Sequence, residues 1–416
     1  MGDYEDDRFV IWCSPNKRAV IPIGELHVSR SLRKECMKRN LKFTTNKCFE
    51  KVIFKCASRD ETWITSPIIK NYIQLHKGGY AHSVEVWDER ASNNNGANLL
   101  WRCGSGCWAL KLEQWNNTHK LGITKFGNTD WKWNYITSLG KWEHVVWVGK
   151  NNNVELFVNG VSKGTKNLSN AKLYWKYIGK ANGTLTIHGE IDELRIWNDA
   201  RTVSEIKSNM FKELEGNESN LKAYYKMSNG SGTTLTDNST NSKNGTMKNG
   251  MNSNDWVDSY VPIGFLNDDY ETDIEGLWRM TGTNASQPSN GLTMSVSSIL
   301  SEENFVVFGN NNLSSSSTSD LPAGVVRRSN RIWHADETGT VNSATMIFDI
   351  RDVTGNNSLT VNPVTHYKLL YRSGTSGDFS IVRTANNIIN TDNVVFSSVN
   401  LNDGYYCIGV TQNNGL

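Results

Sequence analysis

From residue 108 to residue 197 the chain repeats one pattern, a short alternating apolar run followed by a turn rich in Asn and Gly. The runs fall at 108–112, 119–124, 142–148, 154–158, 173–179, 184–188 and 191–197. Asn151-Asn152-Asn153 turns the chain between two of them, and Asn159-Gly160 follows the next. An Asn-Gly pair is a strong hairpin signal, because the favoured two-residue turn needs positive φ at both positions. Strands this short and this close leave no room for crossover helices of about a dozen residues, so they predict an antiparallel β-sandwich. The pattern returns from about residue 266, with strands expected at 305–308, 346–350, 367–371 and 394–396.

The 416 residues suggest about two to four domains at roughly 100–200 residues each. Hydrophobic residues make up 38% and charged residues 21%, enough for packed cores and too little charge for a disordered polyelectrolyte. No apolar run reaches the roughly 18–20 residues that cross a bilayer, so no membrane span is expected. The acidic opening MGDYEDDRFV lacks the apolar stretch of a secretory signal.

The composition breaks near residue 90. Residues 1–90 hold 16 basic and 12 acidic residues, and residues 17–59 alone hold 12 basic against three acidic. Six of the seven cysteines lie before residue 108. This part reads as mixed helix and strand. Ser29 and Asn46 are placed to cap helices over 30–39 and 47–58. Ser66, Pro67 and Gly78-Gly79 frame a third, with Ile69, Tyr72, Ile73 and His76 on one face. A strand follows over 80–87. The basic cluster suits phosphate binding through counterion release, or is simply a solvated face.

The strings Ile11-Trp12-Cys13-Ser14-Pro15, Glu25-Leu26-His27-Val28-Ser29-Arg30-Ser31-Leu32-Arg33-Lys34, Thr62-Trp63-Ile64-Thr65 and Leu75-His76-Lys77-Gly78-Gly79-Tyr80 through Trp87 resemble leucyl/phenylalanyl-tRNA–protein transferase over about residues 8–89. The resemblance implies a truncated α/β, acetyltransferase-like fragment of a bacterial cytoplasmic enzyme. That enzyme moves Leu or Phe from aminoacyl-tRNA to proteins with N-terminal Arg or Lys, with no metal or cofactor. By carry-over, Trp63 walls the pocket for the tRNA's aminoacyl end, and Arg30 and Lys38 touch its phosphates. The family's Gly-Glu-Ser-Met-Phe-Ser stretch and later Asp/Gln strand, which hold the amino acid and orient the amine, have no counterpart here. Transfer needs those groups for proximity and charge stabilisation, so residues 1–90 are expected to be inactive.

Lys141-Trp142-Glu143-His144-Val145-Val146-Trp147, Val154-Glu155-Leu156-Phe157-Val158-Asn159-Gly160 and Gly189-Glu190-Ile191-Asp192-Glu193-Leu194-Arg195-Ile196-Trp197 resemble the laminin-G-like jelly roll, related to concanavalin-type lectins and pentraxins. The resemblance implies a short helix over 203–214, binding of a glycan, extracellular protein or matrix, and calcium in some members. Asp192 and Glu193 are the candidate calcium ligands, with fixing of Arg195 or a loop as their structural alternative. Trp131, Trp133 and Tyr135 are candidate aromatic platforms for sugar rings, or plain core. Cys103 and Cys107 fit a loop disulfide in an oxidising compartment; a zinc site would need a second pair nearby. Residues 266–410, with Arg331-Ile332-Trp333-His334-Ala335-Asp336, resemble a C-terminal β module of Bacteroidota surface proteins.

The expected fold class is mainly β: a laminin-G-like jelly-roll sandwich plus a second all-β sandwich-like module, preceded by the truncated fragment. The expected boundaries are 1–90 for the fragment and 91–214 for the jelly roll, with 80–90 as an optional first strand. Residues 215–262 are expected to be a partial repeat or the closing segment, and 266–410 the last module. Val84-Glu85-Val86-Trp87 satisfies both family patterns. Both partners are truncated at this string, and one is normally cytoplasmic while the other is exported. A joined gene is therefore preferred to a true fusion in which 80–87 serves as a sandwich strand. The expected function is non-catalytic binding, with aminoacyl-tRNA–protein transfer as the alternative.

Overall fold

The computed structural model describes residues 8–14, 17–22, 62–65, 72–93, 96–101, 108–116, 118–168, 173–179, 187–278, 285–301, 303–412 and 415–416. Arg8–Ser14 and Lys17–Pro22 form an antiparallel hairpin. Compact units separate between Val261 and Pro262. The expected helices over 30–39 and 47–58, and the Cys103/Cys107 loop, lie outside the described residues.

The unit ending at Val261 is a two-sheet sandwich. Its first sheet runs in the order Val161–Asn167, Asn153–Val158, Trp142–Lys150, Ser83–Arg90, Gly189–Trp197, Thr62–Thr65, Trp256–Asp258, with Leu221–Tyr225 also paired to Gly189–Trp197. The second runs Thr234–Leu235, Gly245–Lys248, Tyr72–Ala81, Leu173–Ile178, Asn98–Trp101, Trp108–Lys111, Gly122–Lys125, Thr129–Lys132. The alternation seen in the sequence sets the faces. Val84, Val86, Val145, Trp147, Leu194 and Ile196 from the first sheet share one core with Leu110, Ile123, Trp175 and Ile178 from the second. Each such side chain contributes about 1.5–3 kcal/mol when fully buried.

Two features correct the sequence reading, and a third decides between its two alternatives for residues 215–262. Tyr72–Ala81 is a strand in place of the expected helix, paired with Leu173–Ile178 on one side and Gly245–Lys248 on the other. The cap residues around it are local preferences, and pairing on both edges overrides them. The sandwich does not begin at residue 91: Thr62–Thr65 pairs with the Gly189–Trp197 and Trp256–Asp258 strands, and Ser83–Arg90 is central, between Trp142–Lys150 and Gly189–Trp197. Residues 221–258 close this same sandwich rather than start a repeat.

The local signals nearer the middle hold. Asn159 and Gly160 sit at φ 50° and 71°, the paired positive values of a tight hairpin turn. Val203–Met210 is helical, and Thr202 with Glu205 forms a reciprocal capping box at its start.

The unit from Pro262 onward is a second antiparallel sandwich. One sheet contains Thr272–Leu277, Phe305–Asn310, Trp333–Thr338, Gly404–Val410 and Tyr367–Arg372; the facing five-stranded sheet contains Leu292–Val296, Ala344–Asp349 and Asn393–Val399. Trp333 meets Phe348 edge-on at 5.3 Å in the core and donates its indole N–H to Ser289 O at 3.0 Å. On the outer face of the larger sheet, Arg328 and Arg372 converge on Asp320 at 3.1 and 3.4 Å, both over the Phe379 ring.

Candidate functional site

The strands Trp108–Lys111, Gly122–Lys125 and Thr129–Lys132 alternate between core and outer face. Trp108, Leu110 and Ile123 point into the core. Lys111, Thr124 and Asp130 therefore take the outer face, where Thr124 stands directly across from Asp130. Together with Trp115 and the turn residues Phe126, Gly127 and Asn128 they line an open groove of about 350 Å³.

Its floor is held by hydrogen bonds. Gln114 Nε2 donates to Thr124 Oγ1 at 3.1 Å and to Trp131 O at 3.2 Å, and Thr124 Oγ1 donates to Asp130 Oδ1 at 2.6 Å. Gly122 makes room for this arrangement: a Cβ there would lie 2.2 Å from Gln114 Cγ and 2.5 Å from Trp131 O. Trp115 stands at the rim, 46% exposed. Phe126 is half-buried and meets Trp101 edge-on at 6.4 Å, and Trp101 in turn packs on Tyr177 at 5.4 Å. Lys111 is 2% exposed, with its Nζ 5.6 Å from the centre of the Phe126 ring. Burial lowers the proton affinity of that amine, against the opposing pull of Asp130.

The aromatic residues singled out in the sequence lie elsewhere. Trp133 is 1% exposed, a core residue whose indole donates to Gly164 O at 2.7 Å. Trp131 is half-buried and stacked on Trp108 at 5.0 Å, against the core. Tyr135 is half-buried, donates to Glu143 Oε1 at 2.8 Å, and has Lys163 Nζ over its ring at 4.7 Å. The aromatic residues that line the groove are Phe126 and Trp115. The strand period could have found Lys111, Thr124 and Asp130 on one face, but it could not find the turn that swings Phe126 over Lys111.

Asp192 and Glu193 are fully buried. Glu193 accepts from Arg195 Nη2 at 2.8 Å and from Tyr224 Oη at 2.6 Å. Asp192 accepts from Glu193 N at 2.7 Å and from Ser259 Oγ at 2.8 Å. Arg195 supplies the positive charge that a calcium ion would bring, so the arrangement fixes Arg195 and the neighbouring loop. Arg195 also donates to Asn209 O and Lys212 O, which ties down the end of the Val203–Met210 helix. Burial works against its charge, but Glu193, Tyr224 and Glu85 outweigh that and hold its proton affinity above the ordinary value. Among the described residues no group of three or more His, Cys, Asp or Glu is placed to hold a metal. Trp63 lies on a strand, its backbone opposite Val257. Arg30 and Lys38 lie outside the described residues.

A second polar cluster is sealed at one end of the sandwich. Arg90 pairs with Glu113 and donates to Thr137 Oγ1 at 2.9 Å, and Glu113 also meets His119 at 2.7 Å. Asp88 stands across from Glu143. Burial pushes the Asp88 carboxyl up to about 8, with Glu143 and Glu89 adding to the rise and Arg90 opposing it. Asp88 and Glu143 share the strand parity of Val86 and Val145 and so face the core side of their sheet.

Three sequence families match parts of the chain. Residues 20–93 match leucyl/phenylalanyl-tRNA protein transferase. Residues 68–207 match the concanavalin A-like lectin/glucanases superfamily. Residues 267–405 match a domain of unknown function, DUF8202. The leucyl/phenylalanyl-tRNA–protein transferase of Tolumonas auensis is 48% identical over 83 residues, 19% of this chain and 36% of that protein. That of Salinibacter ruber is 44% identical over 89 residues, 21% of this chain and 39% of that protein. The chain thus spans little more than a third of the length of these relatives. Among solved structures, domain 4 of an extracellular GH43 arabinanase from Geobacillus stearothermophilus is 19% identical, with TM-score 0.26, covering 32% of this chain and 66% of that one. A SAP-like pentraxin from Limulus polyphemus is 14% identical, with TM-score 0.28, covering 36% and 81%. Among the described residues no helix is long and apolar enough to cross a membrane. The chain joins a stretch similar to leucyl/phenylalanyl-tRNA–protein transferase to a stretch similar to the concanavalin A-like lectin/glucanases superfamily.

Proposed function

We propose that the sandwich ending at Val261 is a non-catalytic carbohydrate-binding module, and that its outer-face groove holds the sugar. The observation that carries this reading is the groove itself, with an exposed Trp115, a Phe126 ring, and polar groups of both signs on its floor. Flat apolar faces beside a few fixed polar groups suit a sugar ring, which has C–H faces and a hydroxyl rim. The match to a superfamily that includes lectins supports it. The test is a screen of immobilised polysaccharides with the full chain, in EDTA and in calcium. Binding that falls at least tenfold in Trp115→Ala supports the reading. Equal binding in both buffers is expected, because Asp192 and Glu193 already have their partners. A screen without a binder, or a binder indifferent to Trp115→Ala, refutes it.

A second reading rests on the transferase identity over residues 20–93: weak binding of aminoacyl-tRNA without transfer. It is tested by gel shift with charged tRNA alongside transfer of labelled Leu to an Arg-starting peptide. A shift weakened in Arg30→Ala, with no transfer, is the expected result; transfer activity would overturn the inactive assignment.

A further inference from the structure

We infer that the groove grips a vicinal diol of a neutral sugar ring between the Lys111 ammonium and the Asp130 carboxylate. This rests on the carbohydrate-binding reading and goes on to name the chemistry of the ligand. Lys111 carries three donors and no acceptor. Among the described residues its amine makes no hydrogen bond or ion pair, and what faces it is the Phe126 ring at 5.6 Å. A nearly buried ammonium without acceptors is costly, and the groove above it is the open side. Asp130 is acceptor-only in its charged form, and one of its oxygens is occupied by Thr124. No direct ion pair joins the two side chains, although Asp130 acts on Lys111 electrostatically. The groove thus presents a donor head and an acceptor head that do not satisfy each other.

The sign of the charge selects the ligand. A carboxylate or phosphate would suit Lys111 and be repelled by Asp130; Lys125 also lines the groove, but its ammonium is drawn over the Trp108 ring at 5.5 Å. A cation would suit Asp130 and be repelled by Lys111. A hydroxyl both accepts and donates, so adjacent ring hydroxyls can take a bond from Lys111 and give one to Asp130. Phe126 and Trp115 then meet the ring's C–H face, and Gln114 holds Thr124 and so the Asp130 carboxylate in place.

The experiment uses the full chain against arabinan, xylan, mannan, galactan and polygalacturonate. The best neutral binder is tested again as its oligosaccharide and as the per-O-methylated oligosaccharide, which keeps the ring and loses every hydroxyl proton. Lys111→Met, Asp130→Ala and Trp115→Ala are compared, with hydrogen exchange of the 108–132 peptides as the check on folding. The expected result is a neutral binder, weakened at least tenfold by each substitution and lost on methylation. Loss in Trp115→Ala with no loss in Lys111→Met or Asp130→Ala overturns the diol grip and leaves the carbohydrate reading standing. So does a methylated sugar that still binds. Preference for polygalacturonate, tightened by Asp130→Ala, overturns it in favour of an acidic sugar. No binder in the panel overturns both readings. Asp130 is exposed, so its substitution reports on the grip even where Lys111→Met disturbs the fold.

Discussion

Asp88→Asn should abolish most of the alkaline destabilisation of the first sandwich. Asp88 is buried between the sheets, and its carboxyl is raised from 3.8 to about 8, first by burial and then by Glu143 and Glu89. The native state therefore holds a proton that the unfolded chain releases near pH 4. The stability tied to this proton is full below about pH 3.8, falls as the pH climbs, and is gone above about 8. Across that window the slope is about 1.4 kcal/mol per pH unit, which sums to on the order of 5 kcal/mol. Asn has nearly the shape of the protonated acid and does not titrate. The assay is urea unfolding of the whole chain between pH 5 and 9, read by hydrogen-exchange mass spectrometry. Peptides over 83–90 and 142–150 report this sandwich, and peptides over 344–349 and 393–399 serve as the internal reference. Wild type should lose about 4 kcal/mol between pH 5 and 8 in the first pair. Asp88→Asn should keep most of that, retaining only the weaker dependence due to Glu143, whose carboxyl is also raised by burial. If the two proteins lose stability in parallel, Asp88 is already ionised in the native state and the reasoning fails.

Other substitutions test the packing around each site. Gly122→Ala should cost about 1–3 kcal/mol and lower sugar affinity, because its Cβ would drive Gln114 off the groove floor; urea midpoints and binding titrations check both. Arg195→Ala leaves Glu193 and Glu85 buried without their cation, and should cost about 3–5 kcal/mol by urea unfolding. Thr202→Ala removes one half of the capping box and should cost about 1 kcal/mol, seen as faster hydrogen exchange over 203–210.

The strand grammar from residue 108 was legible because one face of each strand is buried and the alternation records it. The 142–148, 154–158 and 191–197 runs fall inside observed strands, and Asn159-Gly160 makes the turn its chemistry demands. The 72–81 strand was illegible because its partners, Leu173–Ile178 and Gly245–Lys248, are about a hundred residues or more away. Ser66-Pro67 and Gly78-Gly79 outweigh them in any local reading. Aromatic residues were the least legible part of the site. Trp131 and Trp133 pack at the core, while exposed Trp115 lies in a turn, where strand alternation carries no information. Asp192 and Glu193 look like ligands in sequence, because Tyr224 and Ser259, which complete their network, lie about 30 and 65 residues downstream.

The string shared by the two families is where sequence and physics part. In Ser83–Arg90, Val84 and Val86 enter the sandwich core, while the alternate residues face the other way and find partners there too. Glu85 lies 3.7 Å from Arg195 and 3.6 Å from His144, and the Trp87 indole donates to Met210 O at 3.2 Å. Every one of those partners comes from beyond residue 140. The string is therefore a working part of the sandwich, whatever its sequence ancestry. A chain beginning at residue 91 lacks the strand between Trp142–Lys150 and Gly189–Trp197, and leaves both of those strands with an unpaired edge. It also leaves Arg195 with one carboxylate fewer and opens the core where Val84 and Val86 sat. Each of those two cavities costs about 2–4 kcal/mol, which together approach the whole stability of a typical domain. Residues 91–261 should accordingly show no cooperative urea transition, and residues 59–261 should show one. A cooperative transition in the shorter chain would mean that the first ninety residues are an appendage and that the boundary read from composition is the physical one.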